Sequence, residues 1–159
     1  MIDDFSFFTQ DPSAHEEREE SLEDRFARER KEWDQKIAEA SKKMKQVFDI
    51  PELMTHLYTD RQRAVEYYHY LISLMIKMNK KYNVSYVERW EYYTNKSQVR
   101  YPNETTKNIR IQVDLQEQVE KRAMLDNHSK FMVDVKNSLD HIIWAVTKRV
   151  EIEKMSRGD

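Results

Sequence analysis

The chain has 159 residues, 35% of them charged and 39% hydrophobic, with 27 Lys and Arg nearly balancing 29 Asp and Glu for a net charge of -2. Its one glycine is Gly158, which excludes the P-loop, the dinucleotide-binding fingerprint and the nucleophile elbow, since each needs glycine where the backbone turns with positive φ or meets a phosphate. With no cysteine, disulfides, thiolate metal sites and cysteine nucleophiles are also excluded, and a reducing cytoplasm is the expected location.

The acidic start, MIDDFSFFTQDP, has too short an apolar run for a signal peptide. The longest uncharged stretch, Tyr67 to Ile76, falls well short of the ~20 residues a membrane span requires. Residues 1–10 read as a mobile tail in which Phe5, Phe7 and Phe8 form a candidate docking motif. Asp11-Pro12 then reads as an N-cap and first helical position, where proline costs nothing because that N–H has no intrahelical partner. From there to Phe48 nothing breaks a helix. Phe26, Trp33, Ala40 and Val47 recur every seven residues, Ile37 and Met44 fill the alternate seam, and Arg30 is the polar exception. Residues 11–50 are therefore expected to form an acidic coiled-coil arm, on the order of 55 Å long, whose apolar stripe needs a partner.

Pro51 marks the next break, because proline disfavours a helical conformation in the residue before it. Glu52 to Tyr58 read as a short helical piece, and Thr59 or Asp60 as the cap of a second long helix reaching about Asn95. That helix carries Val65, Tyr68, Ile72, Met75, Tyr82, Tyr86, Trp90 and Tyr93 along one side. The polar stretch 95–108, with Pro102, is the predicted loop. Ile109, Ile111, Val113 and Leu115 alternate with Arg110, Gln112 and Asp114, the period-2 pattern of one short strand near 109–113. Asp114 and Glu117 make a capping box that opens a third helix running to about Met155. Met132, Val135, Leu139, Ile142, Val146 and Val150 form its apolar seam; the last five are the predicted oligomerisation residues. The expected fold is all-α: long antiparallel helices, an N-terminal coiled-coil arm, at most one short strand, and a helical hairpin over 51–159.

Charge and aromatic content are unevenly placed along this frame. Residues 1–40 hold 13 acidic and 6 basic residues, whereas residues 41–107 hold 12 basic and 7 acidic. Eight of the nine tyrosines lie between Tyr67 and Tyr101, and eight basic against three acidic residues lie between Lys77 and Arg110. Basic side chains neutralise phosphates and release counterions, while aromatic faces stack on unpaired bases irrespective of sequence. Single-stranded nucleic acid is thus the expected ligand of Lys80, Lys81, Arg89, Lys96, Arg100, Tyr101, Lys107 and Arg110. The competing reading of Tyr82, Tyr86 and Trp90, one turn apart, is that they pack between helices. The acidic arm suits basic surfaces of partner proteins, or acts as a shield that competes with nucleic acid. Glu66-Tyr67-Tyr68-His69 has the E-x-x-H spacing of di-iron bundles, but none of His15, His56, His128 and His141 has a Glu three residues before it. No catalytic residue, metal or cofactor is expected.

These motifs resemble the UvsY-like recombination mediators of T-even-like phages and their cyanophage relatives. Arg89-Trp90-Glu91-Tyr92-Tyr93 is similar to the basic, apolar, acidic, Tyr-Tyr run that ends the family's long first helix, and a polar loop follows it. Asp114-Leu115-Gln116-Glu117 stands where the family opens its C-terminal helix, and Asp140-His141-Ile142-Ile143 leads into Lys148-Arg149 near the end of that helix. The resemblance covers about residues 57–155 and has no counterpart in the first fifty. It implies a non-catalytic, ring-like homo-oligomer in the host cell cytoplasm that binds single-stranded DNA around Arg89. Such a protein contacts the phage recombinase and the single-strand binding protein and helps the first displace the second. Two positions depart from the family's pattern: Val87 stands where a second basic residue precedes the Arg, and Val150 follows Arg149 where the family has glycine. A coiled-coil scaffold without nucleic acid is the alternative function.

Overall fold

The computed structural model describes residues 20–46 and 49–157, which form four helices and no strand: α1 (Leu22–Gln46), α2 (Ile50–Glu91), α3 (Glu104–Asp114) and α4 (Gln116–Arg157). α2 and α4 have 42 residues each, rods of about 63 Å at 1.5 Å per residue. They pack antiparallel, with Arg61 paired to Asp140 near one end and Gln118 Nε2 donating to Ser85 Oγ at 3.3 Å near the other. α1, with 25 residues, covers only part of this hairpin. It runs antiparallel to α2, as Tyr67 donates to Glu29 and Lys36 to Asp60. It is parallel to α4, as Phe26 stacks on His128 and Arg149 donates to the Met44 carbonyl at 3.0 Å. This last bond gives a side-chain donor to a carbonyl in the terminal turn of α1.

The heptad seam of α1 finds its partner within the chain. Phe26 is buried, and Trp33, Ile37, Ala40 and Met44 pack against a core built from Leu53, Leu57, Ala64 and Leu71 of α2 and from Leu125 to Val146 of α4. The result is a three-helix bundle at one end of the hairpin rather than a projecting arm. The same packing changes the reading of the α4 seam. Val135, Leu139, Ile142 and Val146 are 1%, 1%, 7% and 3% exposed, and Val150 is half-buried. The neighbouring helices these residues require are α1 and α2 of their own chain, so these four lie inside the protomer and not on its outer surface.

Local chemistry explains the helix boundaries. The Ser21 hydroxyl accepts from the Asp24 N–H at 3.1 Å and donates to its carboxylate at 2.7 Å, a reciprocal cap that starts α1. The expected cap at Asp11-Pro12, the tail 1–10 and Val47 lie outside the described residues. Pro51 does mark a start, but of one continuous helix: Asp49 caps α2 by accepting from the Glu52 N–H at 3.2 Å, with proline in the first turn. Thr59 and Asp60, expected to cap a second helix, are interior. Thr59 Oγ1 donates to the Thr55 carbonyl, the back-bond available to a mid-helix threonine, and Asp60 holds Lys36 of α1.

The short strand expected near 109–113 is helical. Asn103 caps α3, accepting from the Thr106 N–H at 2.8 Å. Ile111 and Leu115 are buried whereas Ile109 and Val113 are exposed; an in–out alternation of these four positions also satisfies the i, i+4 spacing of a helix face. Asp114 is not the cap of the next helix. It accepts from Tyr93 Oη and pairs with Arg110, while the Leu115 carbonyl receives the N–H groups of Gln118 and Val119.

A polar cluster fastens α1 to the hairpin. Glu29 accepts from Tyr67 Oη and Arg25 Nε, and His128 Nε2 lies 2.9 Å from its Oε2. The His128 ring is fully buried between Phe26 and Phe131. Among the described residues its Nδ1 has no hydrogen-bond partner, and a ring that donates through Nε2 to Glu29 leaves no unpaired donor at Nδ1. Burial raises the Glu29 pKa, but hydrogen bonds from His128, Tyr67 and Arg25 outweigh it and hold the carboxyl at about 2, against an ordinary 4.5. Burial and Glu29 push the Tyr67 hydroxyl upward, keeping it a donor. A carboxyl depressed in the folded state stabilises it fully above its unfolded pKa and loses that contribution as pH falls towards the folded one. Thermal melts from about pH 7 to 2 are expected to show a stability loss concentrated between about pH 4.5 and 2, and a Glu29→Gln chain should lose less over that range. Equal pH dependence in both chains would exclude this carboxylate as the acid-sensitive tie.

Candidate nucleic-acid interface

Beyond the N-terminus of α1 the hairpin is covered on another side by α3, and the aromatic residues of α2 gather there. Tyr82, Tyr86 and Trp90, each four residues on, form a ladder with ring centroids 6.2 and 6.4 Å apart. Past Trp90 the helix widens into one π turn, Tyr92–Lys96, in which the Ser97 N–H donates to the Tyr92 carbonyl at 2.9 Å. Tyr93 packs edge-on against Tyr92 and Tyr101, with centroids 5.2 and 5.4 Å apart. The loop 97–103 thus folds back onto the end of α2.

Most of these rings also bind helices together. Tyr86 Oη donates to Asn108 Oδ1 at 2.6 Å, Tyr93 Oη donates to Asp114, and Arg110 Nε donates to Tyr93 Oη at 3.3 Å. Asp114 pushes the Tyr93 hydroxyl pKa upward, so the phenol remains a donor. Lys107 Nζ sits 3.6 Å from the centre of the Trp90 ring and donates to Thr94 Oγ1 at 3.1 Å. Arg122 of α4 lies over Tyr82 at 4.6 Å. Cations held over aromatic faces in this way are electrostatically attracted by the ring quadrupole. Tyr82, Tyr86, Trp90, Tyr93 and Tyr101 are half-buried in consequence. A groove of about 370 Å³ remains open between Tyr86, Val87, Trp90 and Asn108.

The predicted site residues divide into two groups. Lys96, Arg100, Tyr101, Lys107 and Arg110 come together around the π turn, the loop and α3. Lys80, Lys81 and Arg89 lie further back along α2, Lys80 about 24 Å from Lys96 at helical rise. Lys80, Lys81, Arg89, Lys96, Arg100 and Arg110 are exposed; Lys107 is half-buried by its ring contact. Arg110 is committed in part to Asp114, at 3.3 Å. Arg122 joins this surface from α4, a position the sequence gives no local reason to select because its aromatic partner is forty residues away.

The Glu66 and His69 side chains are exposed, with Glu66 accepting from Gln62 and the His69 ring edge-on to Tyr68. Among the described residues no group of three or more His, Asp or Glu is placed to hold a metal ion, and no helix is long and apolar enough to cross a membrane. Fold and surface together define an all-α bundle with a basic, aromatic distal end. Comparison with protein-family models, with characterised proteins and with solved structures finds no match.

Proposed function

We propose that this chain is a non-catalytic single-stranded DNA-binding protein that acts as a recombination mediator, helping to load a recombinase onto DNA covered by single-strand binding protein. The observation that carries the binding step is the distal end itself, where α2, the π turn, the loop and α3 carry exposed Lys and Arg side chains and an open groove is lined by Tyr86, Val87, Trp90 and Asn108. The charges supply sequence-independent phosphate attraction, and the ring faces supply stacking worth about 1–3 kcal/mol per base. The mediator step rests on the motif resemblance around Arg89 and Asp114.

One protomer offers a modest cationic surface. Repetition in a homo-oligomer multiplies it by effective concentration. With the α4 seam inside the protomer, the contact between subunits falls to the outer side of α4, where Trp144, Ile152 and Met155 are 64%, 65% and 80% exposed. The three fall on one side of α4 by helical spacing, opposite its buried seam. The second reading, a helical scaffold without nucleic acid, is favoured by the engagement of Tyr86 and Tyr93 in holding α3.

Anisotropy of labelled oligo-dT, titrated at low and moderate salt with a duplex of equal length as control, separates the two. The expected result is tighter binding to the single strand that weakens steeply with salt. No binding at low salt by a correctly folded, assembled protein would leave the scaffold.

A further inference from the structure

α4 buries one side along Met132, Leu139 and Val146. Helical spacing sets Val119, Lys130, Asn137, Trp144, Lys148 and Met155 on the opposite side, and all six are exposed. Towards the start of this strip a groove of about 370 Å³ opens between Met75, Asn79, Val119, Arg122, Ala123 and Asp126. Towards its end Met155, at 80%, is the most exposed large apolar side chain among the described residues. One helix face thus carries an open recess near one end and an unburied apolar side chain near the other.

We propose that a second copy of this chain closes the strip, its α4 running antiparallel about a two-fold axis at Asn137. A two-fold contact uses the same surface on both copies, so every pairing occurs twice. Residues of the strip equally far from Asn137 then meet: Asp126 with the partner's Lys148, Lys130 with the partner's Trp144, and Val119 with the partner's Met155, which falls at the groove. On the flanks, Arg122 lies beside the partner's Glu151 and Asp134 beside the partner's His141. Asp134 and Asp140 are also equally far from the axis but on opposite flanks, and Asp140 is held by Arg61 and Lys136 of its own chain. Sliding the copies by seven residues in either direction sets Lys148 against Val133 or Val119 and removes its anion, so the charges select one register. In the single chain Asp126 pairs with Lys130, and Lys148 with Glu151. Exposed pairs of this kind contribute little, and exchanging them for partners across the axis costs little. The contact deepens the assignment of subunit packing to the outer side of α4. Because α4 begins at Gln116, the two distal ends of such a dimer point in opposite directions about 60 Å apart, and a strand engages both only by running its length. That consequence rests on the nucleic-acid reading, whereas the contact does not.

Two measurements on the full chain test the contact. The chain has no cysteine, so a single introduced one reports the axis. Asn137→Cys should give a disulfide-linked dimer under mild oxidation, since a disulfide joins Cα atoms about 4.4–6.8 Å apart; Ser73→Cys, exposed on α2, should not. Asp126→Lys and Lys148→Asp should each weaken self-association at least tenfold in sedimentation with helicity unchanged, because each sets like charges together twice. An equimolar mixture of the two, in which both pairings join opposite charges, should restore it, as should Asp126→Lys/Lys148→Asp in one chain. Assembly without the Asn137→Cys cross-link, or single variants that stay apart when mixed, would overturn the antiparallel contact. A parent chain monomeric at every concentration would overturn the subunit assignment with it. A cross-linked, charge-rescued dimer that does not bind oligo-dT would uphold the contact and reject the nucleic-acid function.

Discussion

Replacing Lys80, Arg89, Lys96 and Arg100 together by alanine is expected to weaken oligo-dT binding about a hundredfold at roughly 0.1 M salt, and to flatten its salt dependence. All four side chains are exposed, and alanine is at least as good a helix former as Lys or Arg, so the circular dichroism spectrum and the assembly state should not change. Each phosphate neutralised on a single strand contributes about 0.7 to the slope of log K against log salt, and losing four lowers the slope by about 3. At a tenth of molar salt that corresponds to two to three decades of affinity, reduced where fewer than four are engaged at once. Lys107 is left out because its ammonium holds the Trp90 ring and Thr94, and its removal would mix lost binding with a loosened α3. An unchanged slope in a normally folded variant would move the interface elsewhere.

The second large effect is a contrast between two residues five apart on α4. Leu139 is 1% exposed, and Leu139→Ala removes three carbons from the three-helix core, a change that costs about 2–5 kcal/mol and lowers Tm by roughly 5–15 °C for a chain of this size. Trp144 is 64% exposed, and Trp144→Glu should leave helicity unchanged while shifting sedimentation to smaller species, because a charge would then sit in the contact proposed between subunits. If Leu139→Ala instead dissociates the assembly with its Tm intact, the seam is an interface and the intrachain core has been misassigned. A Trp144→Glu chain of unaltered mass would place the subunit contact on another surface.

Much of the fold is legible from spacing alone. The heptads of α1 and the 3,4 seam of α4 state that both helices are buried on one side, and the structure buries those sides. Pro51 marks the break before α2, and the polar run after Asn95 contains the turn between α2 and α3. Where the reading went astray, two local patterns were compatible with the same residues. Ile109 to Leu115 alternates as a strand would, yet Asn103 supplies an N-cap and Ile111 and Leu115 pair at i, i+4. Thr59 and Asp60 have the chemistry of caps, which mid-helix residues share when a back-bond or a neighbouring Lys36 satisfies them.

The candidate interface was partly legible for a different reason. Local enrichment identifies Lys80 to Arg110 as basic and aromatic, since charge and ring content belong to the residues themselves. It does not assign faces: only the packing of α3 turned Tyr86 and Tyr93 into interhelical donors and set Lys107 on Trp90, and only that of α4 brought Arg122 over Tyr82. The same holds for assembly. A sequence determines that an apolar stripe must be covered, because leaving it in water costs free energy in proportion to its area. Whether the cover comes from the same chain or another depends on loop closure and direction. Here the connection between α1 and α2 is short enough to fold α1 back on the hairpin, so tertiary structure enclosed Val135, Leu139, Ile142 and Val146 and left Trp144, Ile152 and Met155 outside.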